Sequence, residues 1–401
     1  MDAYIYEAIR TPRGMAKKEG SLASVKPIKL VSQLLAAMEN HHSFDKALVE
    51  DLILGCVTQV NDQGANIAKI SALYAEWPES ISGVTINRFC ASGLDAVGMA
   101  ALKTHSRMEN VVLAGGVESV SRVPMFADKG AWFVDEEVRV QTGFVQMGIS
   151  ADIIASLEGF SRSQLDEYAV QSQERAAAAR RNNRFSRSLV PVYDDEKNLL
   201  LDHDELIREN SSTETLSKLT PSFIKFGVGE AEDKIYRAFP ELNKIEYLHH
   251  AGNSPSLADG ASLLLVGNKE AAHSLEMKPR ARIIGAVNAA ASPYLLTGGQ
   301  TATEKVLEKT KLSVEDIDLF EYNEAFAATV LKYIRDLNID VEKINVNGGA
   351  ISMGHALGAT GGMLVATMLD ELERQEKKRG LIAVSGGGGT GTALIIERIE
   401  S

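Results

Sequence analysis

Of the two cysteines in the chain, Cys56 and Cys90, the second stands where a thiol can do chemistry. It lies in Asn87-Arg88-Phe89-Cys90-Ala91-Ser92-Gly93, where a strand-like run over 83–89 meets a helix-like run over 91–105. A thiol at a helix start faces unpaired backbone N–H groups and the positive end of the helix dipole, and both favour the nucleophilic thiolate. The small residues Ala91, Ser92 and Gly93 would let a substrate carbonyl come close to the backbone. A lone cysteine without such a setting is more often an inert, buried apolar residue. Cys56, in Leu54-Gly55-Cys56-Val57, fits that plainer description at a strand end.

Three other stretches hold residues of catalytic type. Asn323-Glu324-Ala325-Phe326 follows an acidic strand-like run over 317–322. Residues 347–361 contain Gly354-His355-Ala356 within a run of small residues, and Ser385-Gly386-Gly387-Gly388-Gly389-Thr390-Gly391 is rich in glycine. Taken singly, His355 could be a hydrogen-bonded structural histidine, Asn323 a helix cap and the glycine runs tight turns. An internal repeat changes that balance. Val49-Glu50-Asp51-Leu52-Ile53-Leu54 resembles Val314-Glu315-Asp316-Ile317-Asp318-Leu319, and Cys90 follows Asp51 by the same 39 positions as His355 follows Asp316. Two copies of one unit would put Cys90 and His355 at equivalent helix starts, facing each other if the copies pack about a pseudo-twofold axis.

The elements that must position these residues alternate. Buried strands are predicted over 3–8, 111–114, 261–266, 282–287, 381–384 and 392–396. Helices are predicted over 30–39, 67–75, 94–105, 302–309, 325–337 and 362–375. Such alternation implies an α/β fold. Residues 121–250 interrupt it, with helices expected over 143–157 and 163–182 and a solvated acidic excursion over 194–204. They are expected to form an inserted subdomain over the first half. His249 and His250 suggest structural or surface roles, since no third ligand for a metal stands near them.

A length of 401 residues allows two or three domains, and 45% hydrophobic with 24% charged residues is ordinary for a soluble protein. A formal charge of -12 disfavours nonspecific binding to nucleic acid or anionic membrane. Two cysteines build neither a disulfide framework nor a cysteine-based zinc site, and no run is apolar enough to span a bilayer. The strand-like start leaves no room for a leader peptide, so the expected location is cytoplasmic.

Arg10-Thr11-Pro12, the Cys90 motif, Ala114-Gly115-Gly116-Val117-Glu118-Ser119, Met147-Gly148, Ala251-Gly252-Asn253-Ser254, Asp259-Gly260-Ala261, Asn323-Glu324-Ala325-Phe326, the His355 motif and the last glycine run occur in order along nearly the whole chain. With these motifs the chain resembles the thiolases, the acyl-CoA acetyltransferases and 3-ketoacyl-CoA thiolases. The resemblance implies a five-layered αβαβα fold with two pseudo-repeated halves and a cap: 1–120 with 251–275, an insertion over 121–250 on the CoA side, and 276–401. It implies that Cys90 carries the acyl group as a thioester and that His355 takes the Cys90 proton, then helps hold the thioester oxygen. Asn323 would fix a water at that oxyanion site, and the N–H groups of Cys90 and Gly387 would form a second one. Met147, Ala325 and Phe326 would line the pantetheine tunnel, and Lys218 and Ser254 would lie on the CoA side. No metal or bound cofactor is implied; acyl-CoA and CoA are substrates, and the protein would be a homodimer or homotetramer.

The chain departs from the family at one chemically important position. Thiolases carry a second cysteine just before the glycine run, an acid and base for the α-carbon or the CoA sulfur; here it is Ser385. A hydroxyl is far less acidic than a thiol, whose reference pKa is about 8.5, and losing an acid–base group typically costs about 10²–10⁴ in rate. Other departures are Ala356 in place of proline, Pro255 at the usual position of a CoA-contacting serine, and Thr220 where a basic residue often precedes Pro221. The expected reaction is acyl transfer between Cys90 and CoA, with cleavage of a 3-ketoacyl-CoA preferred over condensation because the long span 224–250 resembles degradative relatives. Two rivals follow: a decarboxylating ketoacyl synthase, disfavoured because only His355 has a suitable motif, and a non-catalytic or acylation-only acyl-CoA-binding relative, disarmed at Ser385.

Overall fold

The apolar runs pair into a ten-stranded sheet in the computed structural model, which describes residues 1–227 and 229–400. The chain begins β1 (Tyr4–Arg10), α1 (Pro27–His41), β2 (Asp51–Gly55), α2 (Ile67–Tyr74), β3 (Val84–Ile86), α3 (Ser92–His105) and β4 (Val111–Glu118). A long excursion follows, containing α4 (Ala131–Val134), α5 (Met147–Glu158) and α6 (Arg162–Arg181). The chain then returns as β5 (Ala258–Gly267) and β6 (Ala281–Ala290) and continues through α7 (Gly298–Thr310), β7 (Leu319–Tyr322), α8 (Ala327–Asp336), α9 (Leu357–Arg374), β8 (Arg379–Ser385) and β9 (Thr390–Arg398). The strand order is β7-β8-β9-β6-β1-β5-β4-β2-β3, with the short strand Gly14–Met15 paired to β5 off this path.

The two halves of the sheet share one topology. In the first, β2 pairs in parallel with β3 and β4, and β5 lies antiparallel to β4 and β1. In the second, β7 pairs in parallel with β8 and with an isolated bridge at Ile344, and β9 lies antiparallel to β8 and β6. The halves meet in the sheet where Tyr4 and Ile5 of β1 face Arg282 and Ala281 of β6. The repeat is therefore real, but its register differs from the sequence match. In both halves a single 3-10 turn, Lys46–Leu48 or Val314–Asp316, precedes the strand. Asp51 thus corresponds to Leu319, three positions from the Asp316 that the sequence match suggested. The following segment is shorter in the second half by the same amount, so Cys90 and His355 still fall at equivalent helix starts.

Three apolar cores alternate with the two sheet halves. One lies between the first half and α1 with α2, one between the second half and α7 with α8, and the middle one is built on α3 and α9. That succession of helix, sheet, helix, sheet, helix gives five layers. The middle layer explains the composition of α9: from Leu357 to Leu372 every residue is buried, and the helix is small or apolar around most of its length, with the buried Asp370 and Glu371 near its end paired with Arg280 and Arg374.

Two expectations are corrected. The insertion does not lie over the first half alone: α5 and α6 pack on α8 and on the turn Ala350–Met353 of the second half, sharing its outer core. Nor is the acidic excursion wholly solvated. Val192–Tyr193 and Leu199–Leu201 pair as a small hairpin, and Asp204 is buried, with its carboxylate accepting from both terminal nitrogens of Arg10 at 2.9 Å and from the Arg13 amide at 2.9 Å. Charge pairing, which composition does not reveal, takes Asp204 inside.

Candidate active site

Cys90 sits two residues before the first residue of α3, after a turn held by its own side chains. Asn87 Oδ1 accepts from the Phe89 amide at 2.8 Å, and Ser92 Oγ accepts from the Arg88 amide at 2.8 Å. Phe89 takes φ +49, a left-handed conformation uncommon for a bulky residue, and so redirects the chain from strand to helix. His355 sits two residues before the first residue of α9. Its amide donates to Ser256 O at 2.8 Å and its carbonyl accepts from Ala258 at 3.1 Å, which straps it to the start of β5. Its Nδ1 lies 2.8 Å from Thr360 Oγ1, one turn into α9.

Glycines bring the two helix starts into backbone contact. A Cβ on Gly93 of α3 would lie 2.5 Å from the Gly358 carbonyl oxygen, and one on Gly361 of α9 would lie 2.1 Å from the Leu94 nitrogen. Any larger residue at either position would force the helices apart. Glu118, at the end of β4, ties the same region together. Its carboxylate accepts from Val57, Thr58 and Gly358 amides at 2.9, 3.1 and 3.0 Å and from Gln63 Nε2 at 2.8 Å.

Electrostatics correct the expectation of a ready thiolate. Cys90 is part-exposed, yet burial of the sulfur, with the Glu118 carboxylate second, pushes its pKa up to about 12. The Cys90 amide pulls the other way and is outweighed. Burial, and the Arg13 charge after it, pushes His355 down to about 4. At neutral pH Cys90 is therefore a thiol and His355 a neutral imidazole. With Nδ1–H donating to Thr360, Nε2 keeps its lone pair and can take a proton.

The remaining candidates gather at the ends of β7 and β8. Asn323 follows β7, donating its amide to Ala383 O of β8 at 2.9 Å. Its side chain is buried, and neither amide atom has a hydrogen-bond partner among the described residues. An unpaired buried amide costs on the order of 1–3 kcal/mol, so its retention points to a ligand or water that completes it. Neighbouring Glu324 anchors the turn by accepting from Tyr168 Oη and Ser172 Oγ at 2.8 Å each and from the Ile351 amide at 2.9 Å. Ser385 ends β8, and its Oγ accepts from the Gly299 amide at 2.8 Å and lies 3.0 Å from Tyr322 Oη. A Cβ on Gly386 would lie 3.2 Å from both the Arg88 carbonyl oxygen and Phe89 Cβ, so the glycine turn abuts the Cys90 turn. The Trp132 indole of α4 covers Gly387 and packs on Phe89 and Phe144 at centroid distances of 5.2 and 5.0 Å.

Met147, Ala325 and Phe326 share the outer core of the second half, where Phe223 meets Phe326 edge-on at 5.8 Å. Ser254 is buried with Oγ only 3.5 Å from Asn253 Oδ1, and Lys218 is exposed and pairs with Glu214 at 2.9 Å. His249 and His250 are buried and structural, paired with Asp152 at 2.7 Å and Asp166 at 2.8 Å. None of the candidate residues lines the 620 Å³ cavity beside Asn183, Phe185 and Asp204. Glu118, Tyr322, Thr360 and Trp132 were assigned no role on sequence grounds. Only Glu118 carries a signal there, an acid closing an otherwise apolar strand.

Residues 3–234 match the family described as thiolase, N-terminal domain, and residues 277–398 match thiolase, C-terminal domain. The chain is 34% identical to a β-ketoadipyl-CoA thiolase of Pseudomonas aeruginosa over 99% of each chain. It is 36% identical to a 3-ketoacyl-CoA thiolase of Salmonella typhimurium over 98% of this chain and 99% of the relative. Among solved structures, it is similar to the acetyl-CoA acetyltransferase of Bacillus anthracis, with TM-score 0.86, 30% identity, and coverage of 99% of this chain and 98% of that one. Human mitochondrial 3-ketoacyl-CoA thiolase gives TM-score 0.87 at 29% identity over 99% of both chains.

Proposed function

The chain belongs to the thiolase family, and from that premise we propose how its own residues carry acyl transfer. It is an acyl-CoA thiolase that uses CoA thioesters as substrates without a bound cofactor. The observation that carries the assignment of roles is the backbone contact between the starts of α3 and α9, which supports a working pair of Cys90 and His355.

In this reading the Cys90 proton leaves for His355 Nε2 as the sulfur attacks, because neither group is ionised beforehand. Covalent catalysis needs such a neighbouring base. Negative charge then develops on a carbonyl oxygen. The unpaired amide of Asn323, through a water, with His355 would serve one oxyanion; the Cys90 and Gly387 N–H groups would serve the other. Removing one such donor typically costs about 3–4 kcal/mol. Met147, Ala325 and Phe326 would line the pantetheine path, with Ser254 and Lys218 beside it. The relatives' names support cleavage of 3-ketoacyl-CoA as the working direction, although one enzyme accelerates both. A three-part division at 121 and 251, a homodimer or homotetramer and a cytoplasmic location complete the proposal.

The test is thiolysis of acetoacetyl-CoA by the purified protein, with mass spectrometry of the Cys90 peptide. Turnover with acetyl on Cys90, lost in Cys90→Ala, is expected. Acetylation without CoA-dependent release would instead establish the acylation-only reading, which Ser385 keeps open. Acetyl on another residue, or on none, would overturn the assignment.

A further inference from the structure

We propose that Tyr322 is the proton source behind Ser385, and that the two hydroxyls together take the place of the thiol acid–base group. The inference rests on the thiolase reading above. Three observations carry it. Ser385 Oγ has two lone pairs and one proton; the Gly299 amide, at 2.8 Å, occupies one lone pair. Tyr322 Oη, at 3.0 Å, bonds no other group among the described residues, and a phenol is the better donor of the two hydroxyls. With both lone pairs of Oγ filled, its own proton has no acceptor among the described residues and is free to be given away. Finally, Ser385 stands next to Gly386, which abuts the Arg88–Phe89 turn before Cys90.

The steps balance. In cleavage, Cys90 sulfur bonds the 3-keto carbon, and its proton goes to His355. The C2–C3 bond breaks with its electron pair on C2. Ser385 gives its proton to C2, and Tyr322 gives its own to Ser385 Oγ, leaving acetyl-CoA, acyl-Cys90, imidazolium and tyrosinate. In the second half, the incoming CoA thiol returns a proton to Ser385, and the Ser385 proton returns to Tyr322. CoA sulfur bonds the acyl carbon, and the released Cys90 sulfur recovers its proton from His355. Burial pushes Tyr322 up to about 12, so the transfer is concerted with bond breaking and not preceded by a stable tyrosinate.

Tyr322 acts through Ser385, so it is a positioning and relay residue and is tested by coupling. Tyr322→Phe keeps the ring that stacks on Tyr333 at 3.9 Å and 10°, which protects the fold. The expected result is a fall in kcat for acetoacetyl-CoA thiolysis, and in the rate at which acetyl appears on Cys90, of roughly 10²-fold, with KM and the final extent of Cys90 acetylation unchanged. Ser385→Ala should lose a similar factor, and the double variant no more than either. In a Ser385→Cys background the Tyr322→Phe effect should shrink at least about tenfold, since a thiol needs no relay. Additive losses, an unchanged kcat in Tyr322→Phe, or an equal loss in the Ser385→Cys background would each overturn the relay while leaving Cys90 acylation, and so the thiolase reading, intact. Loss of Cys90 acetylation in the unmutated protein would overturn the reading itself.

Discussion

Alkylation of Cys90 by iodoacetamide should speed up about tenfold per pH unit across the neutral range, because its thiol is held far above neutrality. With a pKa of about 12, the thiolate fraction at pH 7.5 is roughly 10⁻⁴ to 10⁻⁵. An unperturbed thiol near 8.5 has roughly a tenth of its molecules ionised at that pH, so the population term is about 10³ or more. A more basic thiolate is more nucleophilic; a Brønsted slope of 0.4–0.5 over about 3.5 units returns roughly 30- to 50-fold. Cys90 should therefore react about 10²-fold more slowly than a free thiol at pH 7.5. The assay is the rate of carbamidomethyl addition to the Cys90 peptide from pH 5.5 to 9.5. Acetyl transfer from acetoacetyl-CoA should behave differently. It needs neutral His355, the form present above a pKa of about 4, so it should persist down to about pH 5. A plateau in alkylation from pH 5.5 to 8 would refute the reasoning, since it would mean a preformed thiolate–imidazolium pair.

Gly361→Ala should disable the site more than it unfolds the protein. Its methyl would meet the Leu94 nitrogen at 2.1 Å; overpacking of about 1–3 kcal/mol, offset by up to about 1 kcal/mol of helix propensity, predicts a small fall in urea midpoint with a large fall in kcat. Asn323→Ala should lower kcat by about 10²–10³ without loss of thermal stability, because its side-chain amide bonds nothing among the described residues; a drop in Tm would show a structural role instead. Trp132→Ala, which uncovers Gly387, should raise kcat/KM for longer 3-ketoacyl chains relative to acetoacetyl-CoA, and an unchanged ratio would remove the indole from the acyl path. Asp204→Asn should cost about 3–5 kcal/mol at pH 7 in denaturant melts, since it leaves Arg10 and Arg13 buried and unpaired. Burial alone would raise Asp204, but those two guanidinium groups outweigh it and hold its pKa low. Its contribution is thus present above the unfolded value near 3.9 and lost as pH falls through the folded one, and the gap between wild type and variant should close only in acid.

Much of the architecture was legible because it depends on local pattern. Apolar runs such as 111–114 and 381–384 are strands since nothing but a doubly covered sheet buries them, and α9 is central because small and apolar residues fill all sides of its first three turns. The motifs also marked Cys90, His355, Asn323, Ser385 and Gly387 as candidates, and their chemistry follows from residue type. The repeat was legible as a fact but misplaced by three positions at its first strand, because a short motif match cannot see where a 3-10 turn ends and a strand begins.

Ionisation was decided only in three dimensions. The sequence put Cys90 at a helix start, which argues for a thiolate, but the sulfur's burial and the Glu118 carboxylate, 28 positions away in the chain, argue harder for a thiol. Desolvation and charge act through space, and no local spacing encodes them. The same holds for Asp204, drawn inside by two arginines near the other end of the fold's first strand, and for Ser385. On sequence grounds Ser385 is a lost thiol. In the structure it is one of a pair of hydroxyls, because β7 and β8 run side by side and bring Tyr322 within 3.0 Å of it.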